Sequence, residues 1–514
     1  MKKNILSVAV AAGVATASGL AVAQSTDPMF ISPDNTGQVL IFPFYNAENG
    51  NTTSMHIVNT TAKAKVLKVR FREYKASYEV LDFNVFLSPK DHFSWTVAAH
   101  PEGITEGGAI ITRDNSCTYP ALGSDNYSPY EGGTLADGAV YQPFVNFEFS
   151  KAADSGDARS LAGYAEVIEM GVAKADTAGK AWAAAVTHTS KGVPAKCASI
   201  AALYEGTGAW SQGGSTGIDA PEGGLYGISY HLNVDDAAAF GIEPTVIDDF
   251  SAAPIHYIAG SEFPNLGQGQ TYSRPMDPTD GQTNYLDFSA PRVAGGWQAV
   301  NSLMMTTDIM NDVMTNDAVG AQTDWVITFP TKHAHVNGKT AATVIPPFTD
   351  PYTPGTSKTA EALACEYVAT TYYDREEQTV VPEEQPGFSP QPEFEKDYQS
   401  LCYEVTTLNW DADVGALNGT LGNQKAAYIF EDGWAEINMG NATYATASGA
   451  ASNTARKIVD KGGVVMEGLP AIGFMATKYA NTTVIDGALF AYGHVADHKT
   501  NTVVSDLANG TSPM

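Results

Sequence analysis

Along most of the chain, apolar residues recur at every second position in short runs that end at Gly, Pro, Asn or Asp. Leu67, Val69 and Phe71 point one way while Lys68, Arg70 and Arg72 point the other. Leu81, Phe83, Val85 and Leu87 repeat the alternation after a short connection at 74–77. Side chains alternate across a strand, so this spacing predicts a β-hairpin with one buried face. Further strands are expected at 39–45, 54–59, 92–98, 109–113, 225–234, 325–329, 401–408, 427–430, 464–466 and 471–476. Helical spacing is scarce. Leu303, Met304, Thr307, Met310 and Met314 approximate it and predict one helix over 298–314, with the methionines as core filler. Closely spaced short strands predict a mainly β fold of two or more β-sandwich, immunoglobulin-like domains with long loops and few short helices.

Three stretches interrupt the pattern. Residues 119–138 are rich in Gly, Ser, Asp and Pro; 206–224 are rich in Gly, Ser and Thr; 381–394 contain Pro382, Pro386, Pro390 and Pro392. The expected organisation is a signal peptide at 1–23, an N-terminal β-sandwich domain at 24–205, a Gly/Ser-rich linker at 206–224 and a C-terminal β-rich domain at 225–514 that carries the Pro-rich loop 381–394. A short similarity joins the halves: GYAEVIEMG at 163–171 and GWAEINMG at 433–440. Duplicated β-domains are one account of it, and chance likeness of two Gly-bounded strands is the other.

The N-terminus fixes the expected compartment. Lys2 and Lys3 precede an apolar stretch from 5 to 20, and Ala21, Val22 and Ala23 give a small-x-small cleavage pattern. The chain is therefore expected to be secreted, to the periplasm, cell surface or exterior, without a transmembrane span in the mature form. Export permits disulfides, and the four cysteines, Cys117, Cys197, Cys365 and Cys402, fit two bridges. Cys117–Cys197 with Cys365–Cys402 is favoured because it keeps each loop within one domain; three connectivities exist.

Several phrases resemble an uncharacterised family of secreted and cell-surface proteins of Gram-negative proteobacteria. They include GQVLIFPFYN at 37–46, VRFREY at 69–74, EVLDFNVFLSP at 79–89, RDNSCTYP at 113–120, GVPAKC at 192–197, TDWVITFPTK at 323–332 and GLPAIGF at 468–474. The resemblance spans most of the chain. It implies an exported, surface-associated protein and transfers no catalytic residues.

Charge sharpens this. The chain has 29 Lys+Arg against 57 Asp+Glu, a formal charge of −28, with only 17% of residues charged. Phosphate contact needs a basic surface, so nucleic acid is not an expected partner. Against that balance, Lys63, Lys65, Lys68, Arg70, Arg72 and Lys75 crowd one hairpin. Lys68, Arg70 and Arg72 share a strand face, the candidate anion-binding face for cell-surface glycans or for another copy of the chain. Internal pairing, for example of Arg70 with Asp82, is the competing account.

Other chemical signals are weaker. Gly213, Ser215 and Gly217 match G-x-S-x-G without the strand and helix that a nucleophile elbow requires. His333 and His335 would share a strand face but have no identifiable third ligand. Asp235 with Asp236, Asp248 with Asp249, Asp277 with Asp280, and Asp411 with Asp413 could hold a structural calcium; solvated turns are the ordinary reading, and no other cofactor or metal is expected. Asp374, Glu376 and Glu377 form an acidic run around Arg375. No catalytic residue is assigned. The expectation is a non-enzymatic structural or adhesive protein. The alternative is a secreted glycan-acting hydrolase using Asp and Glu carboxylates, and an outer-membrane β-barrel is disfavoured by the prolines and irregular segments.

Overall fold

The expected alternation forms the framework of the computed structural model. It describes residues 27–506, apart from 125–130, 153, 277–283, 290–294, 356–360, 362, 377–397, 411–414, 427–431, 441–442, 447–448, 453–455 and 486–487. The proposed signal peptide and the Pro-rich loop 381–394 lie outside the described residues, as do Asp277, Asp280, Asp411, Asp413, Glu377 and the expected strand at 427–430. The chain is mainly β with few helices.

The first unit opens with β1 (Val39–Asn46), β2 (Asn51–Asn59), β3 (Lys65–Glu73), β4 (Glu79–Leu87), β5 (His92–Ala99) and β6 (Gly108–Thr112). It continues with β7 (Cys117–Tyr119), β8 (Val140–Pro143), β9 (Ala162–Ala173), α1 (Thr177–Val186) and α2 (Cys197–Tyr204). It closes with β10 (Leu225–Asn233), β11 (Ala238–Ile242) and β12 (Thr245–Asp248). Sheet I runs β11-β10-β2-β5-β6-β8, and sheet II runs β12-β1-β9-β3-β4-β7. Between them lies a core that includes Phe42, Ile57, Leu67, Val69, Phe71, Trp95 and Val167.

The second unit contains α3 (Gly295–Met304), β13 (Asp308–Met314), β14 (Ala321–Thr328), α4 (Lys332–Val336), β15 (Glu366–Asp374) and β16 (Tyr398–Leu401). Then come β17 (Val405–Asn409), β18 (Asn423–Lys425), β19 (Asp432–Asn438), β20 (Ile472–Ile485), β21 (Ala488–Asp497) and β22 (Lys499–Asn501). Sheet III runs β18-β17-β14-β20-β21, and sheet IV runs β16-β15-β19-β13-β22. Trp325, Ile327, Val368, Trp410 and Ile437 belong to the core between them.

The units stack through sheets II and III, with β11 at the edge of sheet I also packed against β21 of sheet III. Val39, Ile41, Phe44 and Tyr164 of sheet II share a core with Val326, Phe474 and Ala476 of sheet III. Thr328 Oγ1 donates to Pro43 O at 2.7 Å, and Tyr164 Oη donates to Pro330 O at 3.0 Å. Sheet II is thus covered on both faces, and every residue of β1 and β3 is buried.

The two units repeat one topology. In chain order, β1 to β6 correspond to β13 to β18, β9 to β19, and β10, β11 and β12 to β20, β21 and β22, with the same neighbours in each sheet. Gly163 and Gly433, the first residues of the two similar phrases, occupy matching places. Gly163 lies opposite Tyr45 and Glu73, and Gly433 lies opposite Val313 and Asp374. Gly227 opposite Ile57 matches Gly473 opposite Ile327. A β-carbon at either of these glycines would crowd the carbonyl of His56 or Val326, which are themselves counterparts. One departure is β18, which runs parallel to β17 where β6 is antiparallel to β5. Repeated topology with matched glycines favours duplication over chance.

Three expectations need correction. The boundary placed at 206–224 falls inside the first unit, because β10 pairs with β2 and β12 with β1. Gly-rich composition there serves turns, with positive φ at Gly213, Gly217, Gly223 and Gly224. The helix expected over 298–314 ends at Met304, and β13 follows, because Ile309 and Val313 enter the core between sheets III and IV. The strand expected at 401–408 is two strands flanking Cys402.

Candidate functional site: the cationic stripe and the pocket at its edge

Lys68, Arg70 and Arg72 do share one face of β3, because Leu67, Val69 and Phe71 take the other into the core. That face is interior. Lys68 and Arg70 have no exposed surface, and Arg72 is buried with them. The chain after β12 crosses over it: Lys68 Nζ donates to Ile258 O at 3.3 Å, and Arg70 donates to Ser261 O and Pro264 O, both at 3.0 Å. Arg72 Nη1 donates to Ser77 O at 2.7 Å. The open anion-binding face expected from the sequence is therefore a covered layer.

Each cation of the stripe meets a carboxylate. Lys68 pairs with Asp82, and Arg70 pairs with Glu79. Arg72 Nε lies 3.3 Å from Glu166, which also stands 3.7 Å from Arg70. Lys65 pairs with Glu169 at 2.7 Å, Lys63 with Glu222 at 2.8 Å, and Lys75 with Asp154 and Glu361 at 2.7 Å. Arg70 stands opposite Asp82 in register, but its ion-pair partner is Glu79, while Asp82 holds Lys68. Charges removed from water require such partners, since isolated burial costs several kcal/mol per ion even after relaxation, on the order of magnitude expected in real proteins.

At the edge of this layer a pocket of about 390 Å³ is lined by Glu79, Leu81, Asp82, Phe147, Glu148 and Gly260, among others. Burial and the neighbouring Asp82 push the Glu79 carboxyl up to about 7, against the pull of Arg70 and Arg72. Burial also raises Glu148. Glu148 accepts from the Glu79 backbone N–H at 2.7 Å, and Asp82 accepts from Gly260 N at 3.0 Å. The arrangement can hold a proton on the Glu79 carboxyl near neutral pH. Sequence reading singled out the cations and missed Glu79 and Glu148. The signal available was two acids, one opening β4 and the other at the end of VNFE, 145–148.

The remaining candidates separate. The cysteines pair as favoured, Cys117 with Cys197 and Cys365 with Cys402. His333 and His335 lie on α4 rather than on a strand. His335 hydrogen-bonds Asn301 at 2.9 Å and Ile345 O at 3.0 Å, while His333 stands 3.8 Å from Glu404. Burial lowers both imidazoles. The G-x-S-x-G stretch is a turn whose Gly214 carbonyl hydrogen-bonds His256 at 2.8 Å. Asp236 pairs with Lys478 at 3.4 Å, and Arg375 with Asp432 at 3.2 Å. Among the described residues, no three His, Cys, Asp or Glu side chains converge as metal ligands, and no helix is long and apolar enough to cross a membrane. No protein-family model matches the chain, and neither a curated protein nor a solved structure matches it.

Proposed function

We propose that this chain is an exported, non-enzymatic structural or adhesive protein of the periplasm or cell surface, built from two sandwiches of immunoglobulin-like type. The observation that carries the reading is the use of the stripe. Lys68, Arg70 and Arg72 are paired internally, so contact with other molecules is left to the outer sheet faces and loops. Two disulfides suit an oxidising compartment outside the cytoplasm. Glycans of the envelope and other copies of the chain are the partners in this reading.

The raised Glu79 beside Asp82 and Glu148 favours one second reading, a glycan-acting hydrolase with Glu79 as proton donor. Incubation of purified protein with a panel of envelope polysaccharides separates the two by reducing-sugar release. The structural reading expects no release above a Glu79→Gln control. Release that the Glu79→Gln substitution abolishes would establish the hydrolase instead.

A further inference from the structure

The repeated topology gives each sheet a counterpart, and the junction between the units joins unlike faces. The outer face of sheet II packs on the outer face of sheet III. Sheet III corresponds to sheet I, and sheet IV to sheet II. The two terminal faces of the chain are therefore the second copies of the two faces that already bind each other.

Their residues support this. On sheet IV, register places Met310 where β1 has Ile41, and Trp434 where β9 has Tyr164. Tyr373 takes the place of Arg72 and stacks on Trp434 with ring centroids 4.4 Å apart. Trp434 is 37% exposed. On sheet I, His56, Ile228 and Tyr230 take the places of Val326, Phe474 and Ala476, the residues that seal the internal junction. Tyr226 and Tyr230 are 41% and 39% exposed. The strands of sheet I contain no Asp, Glu, Lys or Arg at all. That outer face is uncharged but polar, with Thr52, Ser54, His56, Ser94 and Thr96 half-buried beside the exposed tyrosines, so a partner would meet it through hydrogen bonds and aromatic contact rather than through ion pairs. Sheet IV supplies acceptors, Asp308, Asp312 and Glu436, for the Ser, Thr, His and Tyr donors of sheet I.

The geometry points to head-to-tail association of copies of this chain, with sheet IV of one molecule docked on sheet I of the next in the manner of the internal junction. Such an interface is heterologous, so each added copy brings one further free face and association continues past the dimer. The inference rests on the structural reading above and names its partner as a second copy.

Sedimentation velocity of the purified mature chain over a concentration series tests it. Wild type is expected to form oligomers that lengthen with concentration. Trp434→Arg and Tyr230→Arg, each checked by circular dichroism for unchanged folding, are expected to weaken association at least tenfold. An equimolar mixture of the two variants is expected to form dimers and stop, because each keeps one intact face. Wild type that stays monomeric overturns the proposal, as does a mixture that fails to dimerise. If wild type is monomeric yet retained on envelope fragments, the inference fails while the structural reading stands; reducing-sugar release would defeat that reading regardless of oligomeric state.

Discussion

Burial sets the chemistry of single residues here more than residue type does. His256 shows how. Its Nδ1 donates to Gly214 O at 2.8 Å, which leaves Nε2 to accept from Tyr204 Oη at 2.6 Å, and Asn84 Nδ2 donates to the same phenol oxygen at 3.0 Å. This network holds the neutral imidazole, and burial pushes its pKa down to about 4. An unfolded histidine titrates near 6.5. A depressed folded pKa supplies stability that is present above 6.5 and lost as pH falls towards 4. The stability difference between wild type and His256→Gln should therefore shift by about 2 kcal/mol against wild type between pH 6.5 and pH 5. Urea titrations of both proteins at the two pH values measure it, and a constant difference would contradict a buried, neutral His256.

At the scale of elements, the legible parts of the sequence were those governed by local geometry. The hairpin of β3 and β4 was readable because Leu67 to Phe71 alternate cleanly and a turn follows. The pairing of the cysteines was readable because each bridge stays inside one unit. What local pattern could not convey was the second face of sheet II. Alternation marks Lys68, Arg70 and Arg72 as facing away from the first core; only stacking of the units and the crossing of 258–264 makes that face interior. Helices α1 and α2 went unread although Asp176 caps α1 by accepting from Gly179 N at 2.7 Å, a signal present in the sequence. Trp182 of α1, Tyr204 of α2 and Trp210 in the loop that follows form an aromatic cluster around Phe86, and Cys197 ties α2 to β7. Cys197→Ser together with Cys117→Ser should lower the free energy of unfolding by about 2–4 kcal/mol, since the bridge closes a long loop. Guanidinium titration gives the value, and an unchanged midpoint would show that the aromatic packing alone fixes the helices.

For the whole molecule, the central consequence is where its basic segment went. An acidic chain with one concentrated basic hairpin invites an electrostatic binding role. The folded arrangement instead makes Lys68, Arg70 and Arg72 part of the support under the covered face of sheet II. Removing one member of a buried ion pair strands its partner and costs about 3–5 kcal/mol, whereas losing an exposed binding cation costs little stability. Arg70→Met separates the two roles, because Glu79 and Glu166 would then face an uncharged side chain. The decisive measurement is the unfolding free energy of Arg70→Met beside its retention, while folded, on an anionic polysaccharide resin. A loss of about 3–5 kcal/mol with unchanged retention is the predicted result. Wild-type stability with lost retention would contradict the account.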